Sequence, residues 1–213
     1  MRVKVFAFTT VAAVLFAAGM PLGAKADING DPYTLDVCSV SGEKLGANGE
    51  PIVRVSEGRE VRFCSEACVG KFEDDKAKYF SIIDELAMKQ QRANYPFETC
   101  IVSGNRITAS VIDVLVYGRL VRYCCPNCLE AFSVNPDEYL AKLDRAVIAK
   151  QSKNYPVDVC LVSGEKLGDH GDVVNLVLAN RLVKLCRPEC AEEVNKEPAR
   201  FLATLDAGAP DAR

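Results

Sequence analysis

One eleven-residue pattern governs what this chain can fold into. Gly118-Arg119-Leu120-Val121-Arg122-Tyr123-Cys124-Cys125-Pro126-Asn127-Cys128 has counterparts at Gly58 to Cys68 and Asn180 to Cys190. Each copy reads glycine or asparagine, arginine, a valine two positions later, a basic residue, a large apolar residue, then Cys-x-x-x-Cys. A period of about sixty residues divides the 213-residue chain more finely than the one or two domains its length would allow. Modules this small bury thin cores and usually need a disulfide or metal staple.

The cysteines recur in step: Cys38, Cys64 and Cys68, then Cys100, Cys124 and Cys128, then Cys160, Cys186 and Cys190. The first-to-second separations are 26, 24 and 26 positions, and the second-to-third is always four, so only the middle loop varies. Each copy opens with Tyr-x-x-(Asp/Glu)-x-Cys-x-Val-Ser-Gly, from Tyr33, Tyr95 and Tyr155. A cysteine followed by a Ser-Gly turn suits a tight knuckle whose amides point at a thiolate, or an ordinary turn with a small buried thiol.

Two apolar runs follow in each copy: Pro51–Val55 and Val61–Cys64, Val111–Val116 and Leu120–Cys124, Val173–Leu178 and Leu182–Cys186. Between them stand Gly58, Gly118 and Asn180, which tolerate positive φ, so a β-hairpin is expected to deliver the second cysteine at its end. Pro126 and Pro188 then fit the first turn of a short helix that carries the third cysteine, with Phe72, Phe132 and Val194 four residues on facing the core. A longer helix is expected from near Asp75, Asn135-Pro136 and Glu197-Pro198. Its apolar face holds Tyr79, Phe80 and Ile83, then Tyr139, Leu140 and Leu143, then Phe201, Leu202 and Leu205, and its exposed face Asp84, Asp144 and Asp206.

The N-terminus has a basic start, an apolar run from Val5 to Met20 and Ala24-Lys25-Ala26, which reads as a secretory signal peptide cleaved after Ala26. The rival is a retained anchor, for which the run is short. Cleavage removes Arg2, Lys4 and Lys25 and no acid, taking the net charge from −3 to −6, which disfavours nucleic acid as a partner. The expected product is periplasmic or secreted and has no membrane span. Export also places ten cysteines where disulfides are the usual expectation, yet three per repeat cannot all pair within a module.

A knuckle, a hairpin ending in a cysteine and a helix beginning with another is the layout by which treble-clef zinc sites converge their thiolates, and the helix start favours the ionised thiol. The Cys, the gap in the mid twenties, the Cys-x3-Cys, and the following Phe and Tyr-Leu helix resemble TRASH and YHS-type metal-binding domains. The resemblance covers nearly the whole mature chain. It implies a treble-clef-like α+β fold, a role in heavy-metal trafficking, resistance or sensing, and Cys38, Cys64, Cys68, Cys100, Cys124, Cys128, Cys160, Cys186 and Cys190 as metal ligands. The expected layout is a signal peptide (1–26), three tandem metal-binding modules (27–90, 91–151, 152–207) and a disordered tail (208–213).

The chain departs from related knuckles in having Ser41, Ser103 and Ser163 where a second cysteine often stands. Three thiolates leave one position of a zinc site open, for Asp36, Glu98 and Asp158 or for water. Thiolate-rich sites select zinc and copper(I) over harder ions. Met88 is the sole methionine after cleavage and His170 the sole histidine; His170 has no counterpart in the other repeats and reads as an exposed loop residue. Cys125 also stands alone, with Ser65 and Arg187 at its place. With Cys128 it spells a Cys-x-x-Cys at a helix start, open to an alternate-ligand, free-thiol, redox or intermolecular-disulfide role. The basic residues Arg59, Arg62, Arg119, Arg122, Arg181 and Lys184 read as solvated strand faces, with anion binding or pairing to the helix acids as the other options.

No phosphate loop, Ser/His/Asp set or isolated carboxylate pair appears, so a non-enzymatic, exported heavy-metal-binding protein for sequestration, trafficking or sensing is expected. Its partner is a metal ion and any protein partner is unspecified. The other classes are a scaffold with permanent zinc or no metal, and a thiol-exchange protein in which Cys64 pairs with Cys68.

Overall fold

The computed structural model describes residues 31–108, 110–169 and 171–208. The expected signal peptide, His170 and the tail beyond Gly208 lie outside the described residues. The same run of elements appears three times: β1 (Ile52–Ser56), β2 (Arg59–Phe63), α1 (Glu66–Asp74) and α2 (Lys76–Arg92); β3 (Ile112–Val116), β4 (Arg119–Tyr123), α3 (Pro126–Val134) and α4 (Pro136–Gln151); β5 (Val174–Leu178), β6 (Arg181–Leu185), α5 (Cys190–Lys196) and α6 (Pro198–Ala207). Helices and three separate two-stranded antiparallel sheets make this a mixed α+β architecture.

Each hairpin turns through two residues, because Ser56 pairs with Arg59, Val116 with Arg119 and Leu178 with Arg181. Both turn residues adopt positive φ, at 53° and 73° for Glu57 and Gly58, 51° and 72° for Tyr117 and Gly118, and 46° and 57° for Ala179 and Asn180. This is the turn whose twist matches the flanking strands, and it forces Glu57, Tyr117 and Ala179 into the left-handed region that glycine alone enters freely. Gly118 is needed on a second ground, since a Cβ there would stand 3.3 Å from the Pro32 ring.

Each hairpin lays one face on its own helices. Val61 and Phe63 join Phe72, Phe80 and Ile83 in the first core; Val121 and Tyr123 join Phe132, Leu140 and Leu143 in the second; Val183 and Leu185 join Val194, Phe201 and Leu202 in the third. Aromatic edges interlock in the first core, with Phe63 and Phe72 centroids 5.2 Å apart and Phe72 and Phe80 5.3 Å apart, an arrangement that adds to area burial. The helices start where the sequence marks them, with Asp75 accepting from the Lys78 amide at 3.2 Å and Pro126, Pro136 and Pro198 in first turns. Pro188 differs: it precedes α5, which begins at Cys190. The turn before it is wound through three-residue bonds from Ala191 to Pro188 and Glu192 to Glu189.

The arginines after the turns are not solvated strand residues. Arg59 reaches Asp84, Arg119 reaches Asp144 at 2.6 Å, and Arg181 reaches Asp206 at 2.5 Å. The strand start lies beside the middle of α2 and α4 in the first two repeats and beside the C-terminal end of α6 in the third, so the acids expected on the exposed face are engaged.

Successive repeats are joined at the hairpin turns. The Gln91 side chain donates to the Gly118 carbonyl at 2.9 Å and accepts from the Leu120 amide at 2.8 Å. Gln151 does the same for Asn180 and Leu182, at 2.9 and 2.8 Å. The first hairpin receives the equivalent pair from a backbone: the Asp31 amide donates to Gly58 and its carbonyl accepts from Glu60, at 2.8 and 2.9 Å. Asn180, fully buried, also donates to Gln91 Oε1 at 3.1 Å and to the Leu120 carbonyl at 2.8 Å, tying the third repeat to the first two. Apolar contacts follow the same joints: Leu115 packs on the first core, and Val177 and Leu182 join the second. Among the described residues no helix is long and apolar enough to cross a membrane.

Candidate metal centre

The knuckle of each repeat is a closed loop. In the first, the Cys38 amide donates to the Glu43 carbonyl and the Gly42 amide to the Cys38 carbonyl, both at 2.8 Å; Cys100 with Asn105 and Gly104, and Cys160 with Glu165 and Gly164, repeat the pattern. Gly42, Gly104 and Gly164 lie at φ of 76°, 75° and 72°, which reverses the chain and turns the preceding amides inward. The hairpin then brings in the second cysteine one residue past its last paired position, and the helix start brings in the third.

The three sulfurs of each set, Cys38/Cys64/Cys68, Cys100/Cys124/Cys128 and Cys160/Cys186/Cys190, lie within 4.8 Å of one another, and each set could hold a metal ion. The second and third sulfurs are 3.6, 3.7 and 3.8 Å apart in the three repeats. A tetrahedral ion with metal–sulfur bonds of about 2.3 Å spaces its ligands about 3.8 Å apart, which the second and third sulfurs of each set already match. All ten cysteines are free thiols, and at 3.6 Å the Cys64 and Cys68 sulfurs are not in the disulfide expected of a thiol-exchange protein.

The thiols in a set differ in proton affinity. Burial opposes ionisation of Cys38, Cys100 and Cys160. Backbone amides of the knuckle and the serine hydroxyl outweigh it, bringing these thiols down to about 7, 6 and 7. Burial, together with a neighbouring sulfur, pushes Cys128 and Cys190 up to about 12. Each repeat therefore offers one ready thiolate beside thiols whose protons a cation would displace.

Asp36, Glu98 and Asp158 do not complete the site. All three are exposed, none joins its triad, and what they contribute is a backbone carbonyl that accepts from Leu45, Ile107 and Leu167 to close the knuckle. The groups against the sulfurs are the serines instead. Ser41, Ser103 and Ser163 Oγ lie 3.2, 3.3 and 3.3 Å from Cys64, Cys124 and Cys186. Each also accepts the amide of residue 43, 105 or 165, which leaves its hydroxyl proton free to donate to sulfur. Their recurrence in step was the available signal. A second group went unread: Glu165 Oε2 lies 3.4 Å from Cys186 Sγ and is held there by Arg187.

Comparison of the chain with protein-family models, with curated proteins and with solved structures finds no significant match to any of them.

Proposed function

We propose that each module binds one thiophilic ion, zinc or copper(I), through its three cysteines, and that the chain is an exported, non-enzymatic protein of metal sequestration, trafficking or sensing. The observation that carries this reading is the threefold convergence of cysteines onto one spacing. One accidental cluster would have a bland explanation as small buried residues; three equivalent ones, each backed by a serine hydroxyl, do not. The resemblance to TRASH and YHS-type domains and their treble-clef-like fold points the same way.

The first cysteine of each set meets the incoming ion as thiolate. The second and third then lose their protons to solvent, and the serine hydroxyl steadies the second sulfur. Because the ligands come from knuckle, hairpin and helix, holding the ion also holds those elements together, and binding is folding free energy.

The test is elemental analysis with a free-thiol count on the full chain purified from an exported compartment. About three equivalents of zinc or copper, with thiols reduced, are expected. Metal-free protein with six or more oxidised thiols overturns the reading. Cys68→Ser, in the first module, should lose one equivalent and keep two; retention of three shows that Cys68 is no ligand. Zinc that cannot be exchanged without unfolding would favour the scaffold role.

A further inference from the structure

The second repeat departs from its siblings at two positions that face the same sulfurs. Where the first and third have Glu43 and Glu165 after the Ser-Gly turn, it has Asn105; where they have Ser65 and Arg187 after the second cysteine, it has Cys125. The acid position matters, because in the third repeat Glu165 lies 3.4 Å from Cys186 Sγ. The other position matters too. Cys125 Sγ lies 3.5 Å from Cys128 Sγ, which is itself 3.7 Å from Cys124 Sγ. One carboxylate is absent where one thiol is present.

We propose that Cys125 is a fourth sulfur ligand in the second module, so that the chain carries two kinds of site: one of four thiolates, flanked by two of three thiolates. The assignment rests on the triads being metal ligands. The Cys125 to Cys128 separation is close to the edge of a tetrahedron of sulfurs, about 3.8 Å for metal–sulfur bonds of about 2.3 Å; Cys125 stands outside the three sulfurs that all lie within 4.8 Å of one another, so its side chain turns further inward to complete the site. Cys125 is half-buried at the N-cap of α3, where its carbonyl accepts from the Cys128 amide at 3.2 Å and its thiol lies beside the first turn of the helix. On binding, its S–H proton passes to solvent and the sulfur donates its electron pair to the metal in place of a water. Asn105, whose amide and carbonyl still close the knuckle, puts no carboxylate into competition for that position. A four-thiolate site is the softest and most completely satisfied of the three for a tetrahedral dication.

The test titrates the metal-free full chain with cobalt(II) under anaerobic conditions and compares it with Cys125→Ser. Serine is the natural residue at this place in the first module, where Ser65 has φ −160° and ψ 161° against −162° and 165° for Cys125, so the backbone accepts it. Both proteins should bind three equivalents. In the variant, one equivalent should lose about a quarter of its sulfur-to-cobalt charge-transfer absorbance. Against a chelator that equivalent should weaken roughly tenfold or more, the loss expected of even an outer-shell partner. Cys125 should also resist alkylation in the cobalt-loaded wild type. Identical spectra and competition curves at three bound equivalents, or a loaded Cys125 that alkylates as fast as in the metal-free protein, overturn the assignment and leave the triads standing. Absence of bound cobalt from both proteins overturns the triads and this assignment together.

Discussion

Gln91 is the polar residue on which the packing of the repeats turns, and Gln91→Ala measures it. The side chain is 1 % exposed and bridges the Gly118 carbonyl and the Leu120 amide at 2.9 and 2.8 Å, while its Oε1 also accepts from Asn180. Truncation leaves the Leu120 amide and the Asn180 side-chain amide without their acceptor in a place water does not reach, since both residues are fully buried, while the half-buried Gly118 carbonyl loses its donor. At about 1–3 kcal/mol for each stranded group, the loss comes to about 4 kcal/mol. With a urea slope of about 2 kcal/mol per molar, that is a midpoint lowered by about 2 M. The assay is urea unfolding of the metal-free chain, with Lys89→Ala, an exposed position on the same helix, as the reference. Gln91→Glu should not rescue, because it keeps an acceptor for Leu120 but turns a second oxygen on the Gly118 carbonyl. A loss below about 1 kcal/mol, equal to that of Lys89→Ala, would refute the reasoning.

Two further outcomes follow from the site. Ser103→Ala removes the hydroxyl 3.3 Å from Cys124 Sγ; it should lower the affinity of one metal equivalent by roughly 10–100-fold in chelator competition, with stoichiometry unchanged. In the metal-free chain, ultraviolet thiolate absorbance should rise first between about 6 and 7, as Cys38, Cys100 and Cys160 ionise, and again far higher as Cys128 and Cys190 do. Because the first group lies below its ordinary value of 9.0, its stabilising contribution is complete above pH 9 and is lost as pH falls through 7 to 6, which denaturant melts across that window would register.

The hairpins and helices were legible because each repeat states them independently: period-two strands around Gly58, Gly118 and Asn180, and a 3.6-residue face from Phe80 to Ile83 and its equivalents. The triads were legible for the same reason. What escaped was polar and long-range. Gln91 and Gln151 each stand four residues before a Tyr-Pro, but a glutamine at a helix end beside a linker has the composition of a solvated terminus. Nothing local says that it meets a turn 27 or 29 residues away. Asp36, Glu98 and Asp158 misled through sequence proximity to a triad cysteine; their backbone is at the knuckle and their side chains are exposed. The Arg59, Arg119 and Arg181 pairs needed the packing of strand against helix before their acids could be assigned.

Val177 and Leu182 on the outer face of the third hairpin enter the core of the repeat before it, whereas the first hairpin has Val55 and Glu60 at those places, with Glu60 paired to Arg62 at 2.6 Å. Lay the first hairpin on α4 and a carboxylate would stand where Leu182 meets apolar neighbours, stripped of water at a cost of several kcal/mol. Modules two and three can therefore follow another module, and module one can only lead. The array has a direction, and a shuffled chain would reveal it: promotion of the first module to a later place should break the series at that joint.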